Sequence, residues 1–318
     1  MCSSSPCPST PETRELQSGL HSILASALKP ATTKVYQRNW EAFHNFCINT
    51  LKRTHALPAD PTDVCLFLTH LAQKGLAYRT ITTYTSAISF VHKMQQHSDP
   101  AAAFVVHKTL QGIRNNPAST PSRQLSPITR PILQPLVSAL PMAHTSIYPQ
   151  KLWAAIFTLT YHGCLRAGEA VLSNSSEHTL QLNQVSVIQN TVHIKFLSYK
   201  HSRKAIPTMV LQQDEHPSCC PVRTLQSYLQ LRGNTPGPLF INQTLIPIDR
   251  HLLSSTLKSC IQLAGLNPDS YNTHSFRIGR ATQLAQDNHT HATIQTAGRW
   301  HSSAYLRYIR PDTITLPQ

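Results

Sequence analysis

Residues 273–310 read THSFRIGRATQLAQDNHTHATIQTAGRWHSSAYLRYIR. The spacing predicts three successive helices, Thr273–Gln286, His291–Gly298 and Ser302–Arg310, with no strand between them. His274 and Arg277 stand three apart and share one helical face. Gly298-Arg299-Trp300-His301 follows, then Tyr305 and Tyr308. Taken singly, each has a plain reading: a His/Arg pair on a helix face is commonly structural, and a late tyrosine commonly packs.

Upstream lie two more islands of the same kind. Gly163-Cys164-Leu165-Arg166-Ala167-Gly168-Glu169 follows an apolar helix, Lys151–His162. Ser198-Tyr199-Lys200-His201-Ser202-Arg203-Lys204 forms the turn between two β-prone segments, Val192–Leu197 and Ala205–Leu211. Val185–Ile188 precedes them and pairs with Val192–Leu197 as a hairpin. Further helices are expected at Arg130–Leu140, Cys220–Arg232 and Leu252–Ala264, and a short extended piece at Pro238–Asn242. This half is mostly helical with one small antiparallel sheet.

Residues 12–115 carry helical patterns only. Tyr36, Trp40, Phe43 and Cys47 fall on one face of a helix over Thr33–Thr50. Asp60-Pro61 is a helix start, with Asp as N-cap and Pro in the first turn. Asn115–Ser126 holds Pro117, Pro121 and three serines, a linker by composition. The expected organisation is a disordered leader at 1–11, a helical domain at 12–115, a linker at 116–126 and a second domain at 127–318. The fold class is mainly α with a small antiparallel β-sheet.

The chain has 318 residues, 28 Lys plus Arg against 14 Asp plus Glu, and a formal net charge of +14. Only 13% of residues are charged, so the positive balance reflects scarce acids more than basic tracts. Between Pro100 and Gly168 there is no Asp or Glu. A polyanionic partner, nucleic acid in the simplest case, fits this balance. No apolar run approaches the ~20 residues of a membrane helix. The eight cysteines contain no C-x-x-C pair, and several sit within apolar helical patterns. That fits a reduced, intracellular compartment, the nucleus in a eukaryotic host. His216-Pro-Ser-Cys219-Cys220 lacks the second half of a zinc site and reads better as a turn before a helix.

In chain order the islands offer an Arg, a Lys, a His with a second Arg, a Trp or His, and a Tyr. Phosphoryl transfer on a DNA phosphodiester needs such a set. Guanidinium forks match nonbridging oxygens, and an imidazole or indole donor completes an electrostatic cradle. A tyrosine hydroxyl among cations can act as covalent nucleophile, and a lysine can protonate the leaving oxygen. No Asp/Glu cluster suited to Mg²⁺ accompanies the islands, so no metal or other cofactor is expected.

With these residues the chain resembles the tyrosine recombinase (integrase) family over about residues 14–310. Arg166 sits in an R-x-G-E pattern ending at Glu169, and His274-Ser275-Phe276-Arg277 matches an H-x-x-R box followed by Ala281-Thr282. Gly298-Arg299-Trp300 through Tyr308-Ile309-Arg310 matches the final box, with Tyr308 placed 31 residues after Arg277. Ala31-Thr32-Thr33-Lys34-Val35-Tyr36, with Trp40 and Phe43, looks like the start of the family's core-binding domain. The Gly-Arg-Trp phrase is similar to eukaryotic mobile-element recombinases of the Crypton and DIRS/Ngaro groups.

The resemblance implies a SAM-like helical core-binding domain, an α+β catalytic domain and roles for individual residues. Arg166 and Arg277 bind the scissile phosphate, His274 assists as donor or acid/base, and Trp300 donates its indole N–H or packs the nucleophile segment. Lys200 protonates the leaving 5′ oxygen, with Lys204 the alternative in the same turn. Tyr308 forms a 3′-phosphotyrosyl link, with Tyr305 as rival. Lys74, Arg79, Lys93, Arg114, Arg123 and Arg130 are implied DNA-backbone contacts, and a homotetramer on two duplexes is the implied assembly. Two alternatives stand beside site-specific recombination: a catalytically silent DNA-binding descendant, and a DNA-relaxing enzyme of the type IB topoisomerase kind.

Overall fold

The computed structural model describes residues 11–115, 124–173, 178–197 and 208–310. Leader residues 1–10, linker residues 116–123 with Arg123, and the turn holding Lys200 and Lys204 lie outside the described residues. The chain divides into two compact units, Met1–Ser122 and Arg123–Gln318. It is mainly helical, with one three-stranded antiparallel sheet.

The first unit contains α1 (Pro11–Ser26), α2 (Pro30–Asn45), α3 (Pro61–Gln73), α4 (Tyr78–Met94) and α5 (Phe104–Asn115). Pro11, assigned by composition to the leader, is the first residue of α1. A π-helical turn, Phe46–Thr50, extends α2. At α3, Asp60 Oδ1 accepts from the Thr62 amide at 2.7 Å, and Pro61 fills the first helical position, where a missing N–H costs nothing. Phe67 forms the aromatic centre, its ring centroid 5.3 Å from that of Phe43 and 5.2 Å from that of Phe46, in a cluster with Val64, Leu68, Ile81 and Ile88. No helix among the described residues is long and apolar enough to cross a membrane.

The second unit is built around α8 (Ile147–His162), whose residues 152–162 are all buried. A helix apolar on every side must be covered on every side. Here α6 (Arg130–Ser138), α10 (Pro221–Arg232) and α12 (Ser275–Gln286) pack on it. α7 (Leu140–Ala143), α9 (Ala167–Ala170), α11 (Arg250–Leu263) and α13 (His291–Gly298) complete the helices. The sheet runs β1 (Val185–Ile188), β2 (Thr191–Lys195), β3 (Thr208–Leu211) in that spatial order. Gln189 and Asn190 both adopt positive φ (45° and 64°), as a two-residue hairpin turn of primed type requires. Register pairs Val185 with Ile194 and Val192 with Leu211, so these four side chains share the inner face.

Two local features position the site. The Ser126 amide donates to Ser270 O at 2.8 Å and the Ile128 amide to Ser275 O at 3.0 Å, so the chain entering the unit is strapped to the start of α12. Gly279 lies beneath that strap; a Cβ there would fall 1.8 Å from Ile128 O. The last segment also departs from its sequence pattern. Ser302–Arg310 was expected as a helix, but only a 3-10 turn, Ser303–Arg307, forms. Thr282 of α12 donates its hydroxyl to Tyr308 O (3.2 Å) and accepts from the Arg310 amide (3.0 Å), pulling these groups out of any helical ladder. Pro311 independently disfavours helical backbone at Arg310.

Candidate active site

Arg166 is the N-cap of α9, directly after the buried end of α8. Its backbone amide donates to Glu169 Oε2 and its Nη1 to Glu169 Oε1, both at 2.9 Å. The side chain is 25% exposed, against 2% for Glu169. Burial pushes the Glu169 carboxyl up, but Arg299 and Arg166 outweigh it and hold the group below its ordinary value.

His274 and Arg277 open α12. Asn272 Oδ1 accepts from the His274 amide at 2.7 Å and fixes this start. Arg277 is fully buried; it donates through Nη1 to Cys164 O and through Nη2 to Gly298 O. Cys164 bends back at φ 46°, which aims its carbonyl at this guanidinium. α12 thus ties the Arg166 loop to the end of α13.

Trp300 and Tyr308 cover Arg277. Its guanidinium carbon lies 4.3 Å from the Trp300 ring centre and 5.5 Å from that of Tyr308, both cation–π distances. The Trp300 and Tyr308 rings are 4.9 Å apart, and the His274 and Tyr308 rings 5.1 Å. Gly298 makes room for the indole: a Cβ there would fall 1.8 Å from a Trp300 ring carbon. His274 keeps an exposed edge, yet its pKa is pushed down to about 4, by partial removal from water and then by Arg277, Arg166, Arg310 and Arg250. The ring is neutral at pH 7.

Two buried donors here, Arg277 Nε and Trp300 Nε1, have no hydrogen-bond partner among the described residues. Arg130 Nε, Arg280 Nε and Arg310 Nε share this condition among the described residues; Arg277 Nε and Trp300 Nε1 are set apart by lying beside the Tyr308 ring, and both can donate to an oxyanion.

The structure therefore brings Arg166, His274, Arg277, Trp300 and Tyr308 together. Tyr305 points elsewhere: its ring is buried and its hydroxyl bonds His291 Nδ1 at 2.7 Å. Of the six suggested backbone contacts, Lys74, Arg79 and Arg114 are exposed on the first unit. Lys93 pairs with Asp99 at 2.9 Å and Arg130 with Asp214 at 2.8 Å. Cys219 and Cys220 are buried and His216 is exposed, and no three metal-ligating side chains converge among the described residues.

Sequence reasoning missed three contributors. Arg299, present in the sequence reading as part of the Gly298-Arg299-Trp300 phrase, donates through Nη2 to Glu169 Oε2 at 2.6 Å. Thr282 enters the sequence reading only beside Ala281 in the family match and His291 only as a helix start, because their partners Tyr308 and Tyr305 lie beyond helical spacing. For Arg299 a signal existed: it ends α13 at φ 54°, where glycine is the usual choice, and Gly298 stands one place early.

No protein-family model matches the chain. It is 27% identical over 294 residues, 89% of this chain and 82% of the other, to an integrase/recombinase XerD homolog from Selenomonas ruminantium. Its fold is similar to that of XerH site-specific recombinase bound to its difH substrate, with TM-score 0.62 and 16% identity, covering 88% of this chain and 76% of that one. It is also similar to a lambda integrase dimer bound to a core site, with TM-score 0.61 and 13% identity, covering 99% and 85%. These similarities relate the chain in sequence to an integrase/recombinase XerD homolog and in fold to site-specific recombinases and integrases.

Proposed function

We propose that the chain is a site-specific DNA recombinase that breaks and rejoins strands through a phosphotyrosyl intermediate. The observation that carries this reading is the pair of partnerless buried donors, Arg277 Nε and Trp300 Nε1, beside the Tyr308 ring. Two guanidiniums, an indole N–H and a neutral imidazole around a phenol suit an anionic substrate whose transition state gains charge.

In the proposed step the Tyr308 hydroxyl attacks phosphorus, and the bond to the 5′ oxygen breaks. Neutral His274 takes the phenol proton, and Lys200 or Lys204 gives one to the departing oxygen. The ester energy stays in the 3′-phosphotyrosyl bond, so a 5′-hydroxyl from a second strand reverses the step without ATP. Two nitrogens of Arg277, Nη1 and Nη2, are engaged by carbonyls and its guanidinium is covered by two rings, so the Trp300–Tyr308 segment must shift for the phosphate to reach the free Nε side. Residues 12–115 form the proposed core-binding domain, joined by residues 116–126 to the catalytic domain, 127–318. Exposed Lys74, Arg79 and Arg114 are proposed to meet phosphates. The proposed substrate is the end of a mobile element, and the proposed assembly a tetramer on two duplexes, the nucleus being the compartment in a eukaryotic host. The Gly298-Arg299-Trp300 phrase supports the mobile-element assignment.

The enclosure of Arg277 favours a second reading, a DNA-binding chain without strand transfer. A pool of nicked duplexes with randomised inserts separates the two. A covalent protein–DNA band on a denaturing gel, absent in Tyr308→Phe and retained in Tyr305→Phe, supports recombination. A band that survives Tyr308→Phe overturns the nucleophile. Duplex binding without any band from the unaltered protein supports the second reading.

A further inference from the structure

Glu169 is a nearly inaccessible carboxylate served by two arginines from distant parts of the chain. Oε1 accepts from Arg166 Nη1 at 2.9 Å. Oε2 accepts from the Arg166 amide at 2.9 Å and from Arg299 Nη2 at 2.6 Å. Arg299 is itself buried: its Nη1 reaches Gly163 O at 3.2 Å and its guanidinium lies 4.3 Å from the Phe196 ring centre. Of the guanidiniums in this cluster, those of Arg277 and Arg299 are closed off, and Arg166 alone keeps part of its side chain in the open.

A buried carboxylate must be compensated, and one guanidinium offers two parallel N–H groups to its two oxygens. If Arg166 were the sole partner, its fork would turn fully onto Glu169. Because Arg299 holds Oε2, Arg166 commits a single terminal nitrogen to Oε1. Arg299 takes up a left-handed backbone, disfavoured for any residue bearing a side chain, at the end of α13, and the next residue is Trp300.

We propose that Arg299 is a positioning residue: by occupying one oxygen of Glu169 it leaves the remaining donors of Arg166 turned outward for the scissile phosphate. The same ion pair fixes the Arg166 loop to the Trp300–Tyr308 segment, so phosphate ligand and nucleophile are held in one frame. This inference rests on the recombinase reading above.

The test uses duplexes captured by the unaltered protein, at saturating concentration, and reads the first-order rate of covalent adduct formation. Arg299→Met is expected to lower that rate by roughly 10–100-fold, as losing a supporting partner does elsewhere, while duplex affinity changes by less than about threefold. Two comparisons separate positioning from mere stability. On a duplex with a methylphosphonate at the cleaved position, which lacks the charge that Arg166 neutralises, the deficit of Arg299→Met is expected to shrink to about threefold or less. Glu169→Gln is expected to slow the unaltered background but to speed Arg299→Met, because the carboxylate no longer claims the Arg166 fork. An equal deficit on phosphate and methylphosphonate overturns the proposal, as does a double variant no faster than Arg299→Met. If Arg299→Met does not melt cooperatively, Arg299→Lys carries the same comparisons with a charge but no fork. If the unaltered protein forms no adduct, the recombinase reading fails and the role of Arg299 falls with it; an adduct without the two contrasts overturns the role alone.

Discussion

A single hydrogen atom on Gly298 decides where an indole lies. Gly298→Ala drives a methyl group into the Trp300 ring, and with that ring go the cation–π cover of Arg277 and the packing of Tyr308. Adduct formation is expected to fall at least tenfold in this variant while duplex binding persists, checked by gel and by fluorescence anisotropy. His274 makes a second prediction at this scale. Its folded pKa of about 4 lies below the ordinary 6.5, so an NMR titration of the free protein gives a midpoint well under 6.5. A bound duplex adds negative charge beside the ring and moves that midpoint upward; no movement would detach His274 from the phosphate. That His274 and Arg277 lie together was legible in their three-residue spacing, whereas Tyr308, 31 residues after Arg277, was reached only through the family resemblance. The bond from Arg299 to Glu169 was not, since 130 residues separate its partners.

Elements here are shaped by what crosses between them. α12 tolerates the strap over it only because residue 279 is glycine. Gly279→Ala forces the Ile128 backbone away and is expected to cost about 1–3 kcal/mol, read as a lowered urea midpoint with unchanged slope. Thr282→Val removes both bonds from α12 to the last segment. Adduct formation is expected to drop several-fold with the melting temperature nearly unchanged; an equal fall in both would make Thr282 a stability residue only. Helices with their own start signals, such as α3 behind Asp60-Pro61, could be read from local residues, as could the hairpin of β1 and β2, although β2 begins at Thr191, one residue before Val192. The segment after Ser302 could not, because a side chain on another helix takes its backbone groups. The strength of α8 as a core element was visible in its unbroken apolar run, and its start at Ile147 came a turn earlier than Lys151 suggested.

At the scale of the whole molecule, few charges carry a net +14, and some of the cations are already committed. Lys93 and Arg130 pair with Asp99 and Asp214, Lys93 while still 65% exposed; Lys74, Arg79 and Arg114 are exposed as well. Arg79→Ala is therefore expected to reduce the slope of log affinity for duplex against log salt by about 1, and Lys93→Ala by less. Acid response follows from the histidines. Burial lowers the pKa of His92, His144 and His162, and with its arginine neighbours that of His274, so each binds its proton less readily folded than unfolded. As pH falls below the unfolded value near 6.5, the unfolded chain gains protons first and stability declines. Urea midpoints at pH 7.5 and pH 5 are expected to show this loss, and His162→Gln to lessen it.

The strap at residues 126–128 gives the connection between the units a mechanical meaning. Tension arriving along the chain from the first unit is delivered, through two backbone hydrogen bonds and the contact over Gly279, to the helix that carries His274 and Arg277. A tug on the chain at residues 126–128 is thus passed directly to the start of α12.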